Sequence, residues 1–152
     1  MNKRRRKIKG KICNNSNIKL YHLSEENYNN KIFKPRIPSS AAENENKTIA
    51  RVCFSSSMSG AYRAIEFYEK GGWSYPLYVH MPENINSAIQ NKNVIIPHED
   101  LVFDVHYTNE YWIREKVKLK CIGKAIFKYT RNSYMDNMFR TKIAIKWLEK
   151  YD

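Results

Sequence analysis

Apolar and polar positions alternate in short runs along most of this chain, and few stretches keep a helical period. Ile18, Leu20 and Leu23 with Tyr21 make a strand pattern that contains His22 and ends in the polar stretch Ser24–Asn30. Residues 35–48 carry Pro35, Pro38 and the run Glu43–Asn46 with no apolar period, which predicts a loop. Arg51, Val52, Cys53 and Phe54 rise into a brief apolar run, followed by serines and Gly60. This predicts a strand leading into a helix that holds Tyr62, Ile65, Phe67, Tyr68 and Lys70 and stops at Gly71-Gly72. Leu77, Val79 and Met81 alternate with Tyr78 and His80 between two prolines, the mark of a half-buried strand, and Val94-Ile95-Ile96 is a further short run. From Leu101 to Tyr129 the alternation returns and predicts several antiparallel strands. Ser133-x-x-Asp136 is close to a capping box. Met135, Met138, Phe139, Ala144, Ile145, Trp147 and Leu148 follow it at near-helical spacing, which predicts a C-terminal amphipathic helix with Trp147 and Leu148 in the core. The pattern describes one α+β domain.

Charge divides the chain unevenly. Of a formal net charge of +12, residues 1–12 supply Lys3, Arg4, Arg5, Arg6, Lys7, Lys9 and Lys11 against no acid. A like-charge block repels itself, so residues 1–15 are expected to be a basic flexible tail and residues 16–152 a single domain. Such a block is a solvated tail, or neutralises phosphates on nucleic acid or anionic headgroups. Aromatic residues make up 13% of the chain, too many for a disordered one. Cys13, Cys53 and Cys121 are far apart and odd in number, with no zinc-ligand spacing, which fits a reducing, cytoplasmic setting and no metal. No apolar run is long enough for a membrane span or a signal peptide.

Glycine-rich dinucleotide and P-loop motifs, a nucleophile elbow and His-Glu-x-x-His are all missing. What remains is a set of polar residues at strand ends: His22, Arg36, Ser55–Ser57, His106 and Glu110. Glu110 opens an apolar strand between Asn109 and Tyr111, where a carboxylate can hydrogen-bond a sugar hydroxyl or stabilise a developing positive charge. Each residue also has a plain use. Glu110 suits a hairpin end, His22 a hydrogen-bonded core, Tyr62 helix packing, the serines a helix cap and Arg36 a solvated loop.

Asn109-Glu110-Tyr111-Trp112-Ile113 followed by Val117-Lys118-Leu119-Lys120 resembles the last motif of the poly(ADP-ribose) polymerases in the ADP-ribosyltransferase superfamily. Val52-Cys53-Phe54-Ser55-Ser56-Ser57-Met58-Ser59-Gly60-Ala61-Tyr62 is similar to that family's strand-into-helix segment, and Leu20-Tyr21-His22 to its first-strand histidine segment. Two positions depart from the family pattern: Cys53 stands where it has a tyrosine, and Leu23 where it has a glycine.

The resemblance implies an ADP-ribosyltransferase-like split, mainly antiparallel sheet with packed helices. NAD would be the substrate, and a protein or nucleic acid the acceptor. Glu110 and His22 would be catalytic and face one cleft. His22, Tyr62, Ser55, Ser57 and Arg36 would bind NAD, with Tyr62 stacked on the nicotinamide and Arg36 on the pyrophosphate. A variant that only cleaves NAD is equally consistent. The rival reading is a small basic nucleic-acid-binding or partner-binding protein without catalysis.

Overall fold

A computed structural model describes residues 10–38, 48–65, 72–97, 108–130 and 142–152. In chain order these form β1 (Gly10–Ile12), β2 (His22–Ser24), β3 (Ile32–Phe33), β4 (Val52–Ser55), α1 (Met58–Ile65), β5 (Leu77–Pro82), α2 (Ile85–Gln90), β6 (Val94–Pro97), β7 (Glu110–Ile113), β8 (Val117–Thr130) and β9 (Lys142–Lys150). The class is α+β, mostly antiparallel sheet with two helices among the described residues. The expected strand at Leu101–Val105, His106 and the end of the helix after Ile65 lie outside the described residues.

Two sheets share the strands. The first runs β1-β6-β7-β4 and the second β2-β5-β8. The far edge of β8 is divided between β3 at Val117–Lys118 and β9 at Gly123–Thr130. Among the described residues two bridges tie the sheets along β4: Tyr21 and Ser55 exchange both backbone hydrogen bonds at 2.7 and 3.0 Å, and Arg36 and Arg51 do so at 3.1 and 3.0 Å.

Alternation along the strands builds a core on each side. Val52, Phe54 and Ile113 point one way and join Leu20, Val94, Val117 and Leu119 under α2, which supplies Ala88. Leu23, Leu77, Val79, Ala125 and Phe127 point the other way, under Ala61 and Tyr62 of α1. The β5–β8 register slips between Val79 and His80. Both of these neighbours are fully buried, Val79 among the second group and His80 beside His22 and Tyr28 of the first side. Gly123 lies at the slip with φ 154°, and a Cβ there would collide with the Glu149 carbonyl, so glycine is required.

Two sequence expectations are corrected. Residues 10–13 belong to the fold, not to the tail: β1 pairs with β6, and Cys13 is buried and donates its N–H to the Val94 carbonyl at 2.9 Å. The charge count hid Ile12 and Cys13, which cover the open edge of β6. The C-terminal segment from Lys142 to Lys150 is a strand, not a helix. Ile143, Ile145 and Trp147 alternate with Ala144 and Lys146, a period of two that matches the unpaired edge of the long β8. The register slips next to Leu148, which turns out to solvent at 44% exposure, while Trp147 packs half-buried against the α1-side core.

Candidate functional site

The β4–β7 ladder pairs Ser55 with Glu110 and Cys53 with Trp112, so these four side chains share one face. Tyr21 joins them through its bridge to Ser55, giving a row Tyr21–Ser55–Glu110 across three strands. Arg51, two residues before Cys53, and its bridge partner Arg36 belong to the same face.

Local chemistry places Glu110. Asn109 adopts a left-handed φ of 52°, which asparagine tolerates better than most residues, and so turns the chain into β7. Its side-chain amide donates to Ser57 Oγ at 3.1 Å, and its carbonyl accepts from Ser56 N–H at 3.0 Å. Ser57 Oγ also accepts from Gly60 N–H at 2.9 Å, the hydrogen bond of a helix N-cap. Gly60 lets α1 lie directly on the Thr108 carbonyl, where a Cβ would collide. Ser55 is buried and donates its hydroxyl to that carbonyl at 2.6 Å.

The Glu110 carboxylate is half-buried and accepts from Trp112 Nε1 at 2.9 Å. Trp112 is fully buried, and the Arg51 guanidinium lies 4.0 Å over its ring while donating to the Ile49 carbonyl at 2.9 Å. Cys53 sits between the two charges. Burial and then the Glu110 carboxylate push its thiol far up, with Arg51 opposing, so it stays protonated and unreactive near neutrality.

No family model, curated protein or solved structure matches this chain.

His22 lies elsewhere. As the neighbour of Tyr21 it points to the opposite face, where its ring packs against Phe33, Phe54 and His80 at centroid distances of 5.8, 6.2 and 6.1 Å. Beside β4 the ladder is open between the Tyr21–Ser55 and Arg36–Arg51 bridges, and His22 stands next to the Cys53 backbone there. Burial, then the charge of His80, lowers its pKa to about 4. Burial lowers His80 as well, and His80 Nε2 accepts from Tyr28 N–H at 2.9 Å, which leaves the ring proton on Nδ1, 3.3 Å from the His22 carbonyl. Two neutral imidazoles result. The expected common cleft for Glu110 and His22 is therefore corrected, because strand alternation sets them on opposite faces.

Tyr62 is corrected as well. It is 1% exposed and stacked on Phe127 at 4.9 Å and 11°, with Tyr129 at 5.2 Å, so its ring is core and not a ligand platform. Ser55 and Ser57 lie beside Glu110, though both hydroxyls serve the turn and the helix cap. Arg36 is exposed on the Glu110 face. Sequence reasoning missed Arg51, Asn109 and Trp112 as parts of the site. Arg51 had a signal: an arginine directly before an apolar strand is either solvated or held by an aromatic ring, and Trp112 is the strand partner of the next residue on that face.

Proposed function

We propose that this chain is an NAD-dependent ADP-ribosyltransferase with a fold of that superfamily's type, and that Glu110 is its catalytic carboxylate. The observation that carries the reading is the seating of Glu110: the carboxylate of the Asn-Glu-Tyr motif is fixed by Trp112 Nε1 on a face that also presents Arg36. A split antiparallel sheet joined by isolated bridges adds support.

In this reading Arg36 takes the NAD pyrophosphate, since a guanidinium matches phosphate oxygens in a planar fork. Tyr21, half-buried beside Ser55, replaces Tyr62 as the ring against the nicotinamide. The bond between ribose C1′ and nicotinamide breaks, and its electron pair neutralises the ring nitrogen. Glu110 accepts a hydrogen bond from the ribose 2′-hydroxyl and stabilises the positive charge left on the sugar. A protein or nucleic-acid nucleophile, or water in the cleavage variant, attacks C1′ and gives up its proton. His22, packed among Phe33, Phe54 and His80 on the opposite face, takes no part in this chemistry and serves the fold.

Calorimetric titration with NAD tests the ligand, and NAD consumption by wild type and Glu110→Gln tests the chemistry. Saturable heat with turnover lost only in the variant is expected. No heat and no stabilisation by millimolar NAD would discard the reading, because a ligand of the native state raises its stability by mass action.

A further inference from the structure

The β8–β9 ribbon presents a basic face that the NAD chemistry does not use. Ala125 and Phe127 turn into the core, so Lys124, Ile126 and Lys128 turn outward. Their partners across the ladder are Glu149, Lys146 and Ala144, and Thr130 faces Lys142. Four lysines thus share the face with one carboxylate, and that carboxylate is engaged by the Tyr151 hydroxyl at 2.6 Å. Two lysines lie over aromatic rings, Lys124 over Tyr78 at 5.1 Å and Lys128 over Trp73 at 5.9 Å. Trp73 stays 42% exposed and nearby Tyr75 70% exposed, so both rings are open to a partner beside the lysines.

We infer that this strip binds single-stranded nucleic acid. The lysines neutralise phosphates, and the exposed rings offer stacking surfaces that only unpaired bases can use. A duplex hides its bases from a flat sheet face, and an anionic lipid surface offers nothing to stack. The inference stands whether or not Glu110 turns over NAD. If it does, the strip names the class of acceptor.

The test is fluorescence anisotropy of the full chain with a labelled 12-mer oligothymidylate, from about 50 to 200 mM salt. Lys124→Gln/Lys128→Gln/Lys146→Gln should weaken binding at least tenfold and flatten the slope of log K against log salt by about 2, since each single-strand phosphate contact contributes about 0.7. Trp73→Ala should weaken binding by about tenfold with the slope unchanged. Lys116→Gln/Lys118→Gln/Lys120→Gln, with the same loss of charge, should cost less than about threefold. Because residues 1–9 hold six basic side chains, each variant is also made with Arg4, Arg5 and Arg6 changed to Gln. The strip effect should persist there. Binding abolished by the Arg4–Arg6 changes alone, equal losses in the two lysine triples, or equal affinity for duplex or for anionic vesicles would each overturn the inference.

Discussion

The two faces of β4 hold opposite kinds of polar chemistry. On the Cys53 face a carboxylate and a guanidinium are kept side by side around one tryptophan. On the Phe54 face two imidazoles are packed among aromatic rings and held neutral. Burial alone removes charge from a group that can lose or gain a proton near neutrality, whereas an opposite charge and a hydrogen-bond donor let ions persist in the same sheet. Function is therefore expected where the charge is kept, and pH sensitivity where it is suppressed.

The sharpest way to break this contrast is Glu110→Gln. The amide still accepts from Trp112 Nε1 but carries no charge, so the proposed NAD turnover should fall about 100- to 1000-fold, with the melting temperature nearly unchanged. A variant that keeps its activity would strip the Cys53 face of its chemical role. His22→Phe makes the complementary cut, lowering stability while leaving most turnover in place.

Acid tests the other face. His22 has a folded pKa of about 4 against 6.5 unfolded, so the unfolded chain binds more protons between those values. Stability is complete above about pH 6.5 and falls as the pH drops toward 4, by about 3 kcal/mol for a shift of that size. His80 acts in the same direction. Urea unfolding at pH 7.5, 5.5 and 4.5 measures the loss, and His22→Phe should flatten it. A wild-type curve level to pH 4.5 would mean that the imidazoles are not neutral in the fold.

A smaller effect is expected at Trp112. Trp112→Phe keeps a ring under Arg51 but removes the donor to Glu110, so stability should drop by about 1–2 kcal/mol and turnover by about tenfold. Loss of stability without loss of turnover would separate the hydrogen bond from catalysis. Smallest of all, Cys53 should resist iodoacetamide at pH 8 in the native protein and react once unfolded. Rapid native labelling would show that the face is open and the thiol ionised.

The positions of several strands were legible from the alternation of apolar residues. Leu77–Met81 and Val94–Ile96 were read from that pattern alone and lie in β5 and β6. β9 was not, since Ala144, Ile145, Trp147 and Leu148 satisfy a helical spacing as well as a strand's, and only the free edge of β8 decides between them. The short β1 and β3 pair with partners far along the chain, and no local signal foretells such contacts. Glu110 could be singled out because a carboxylate at the head of an apolar strand is unusual. Its distance from His22 could not, because register settles which face a residue takes, and a shift of one residue reverses the answer. Tyr62 was misplaced for a related reason: on a helix, a tyrosine that lines a site and one that fills a core carry the same pattern.

The way the chain distributes its strands between the sheets also bears on how it reaches this state. In sequence, β1 goes to the first sheet, β2 and β3 to the second, β4 to the first, β5 to the second, β6 and β7 to the first, and β8 and β9 to the second. Neither sheet is a contiguous segment, so neither forms a nucleus from neighbouring residues, and long loops must close before most ladders gain a hydrogen bond. The consecutive pairs β6–β7 and β8–β9 are the exceptions, and the longer β8–β9 ladder is the natural early structure. Refolding of this chain belongs in the millisecond-to-second range typical of non-local β topologies, with its edges open to other chains until β1 closes over β6.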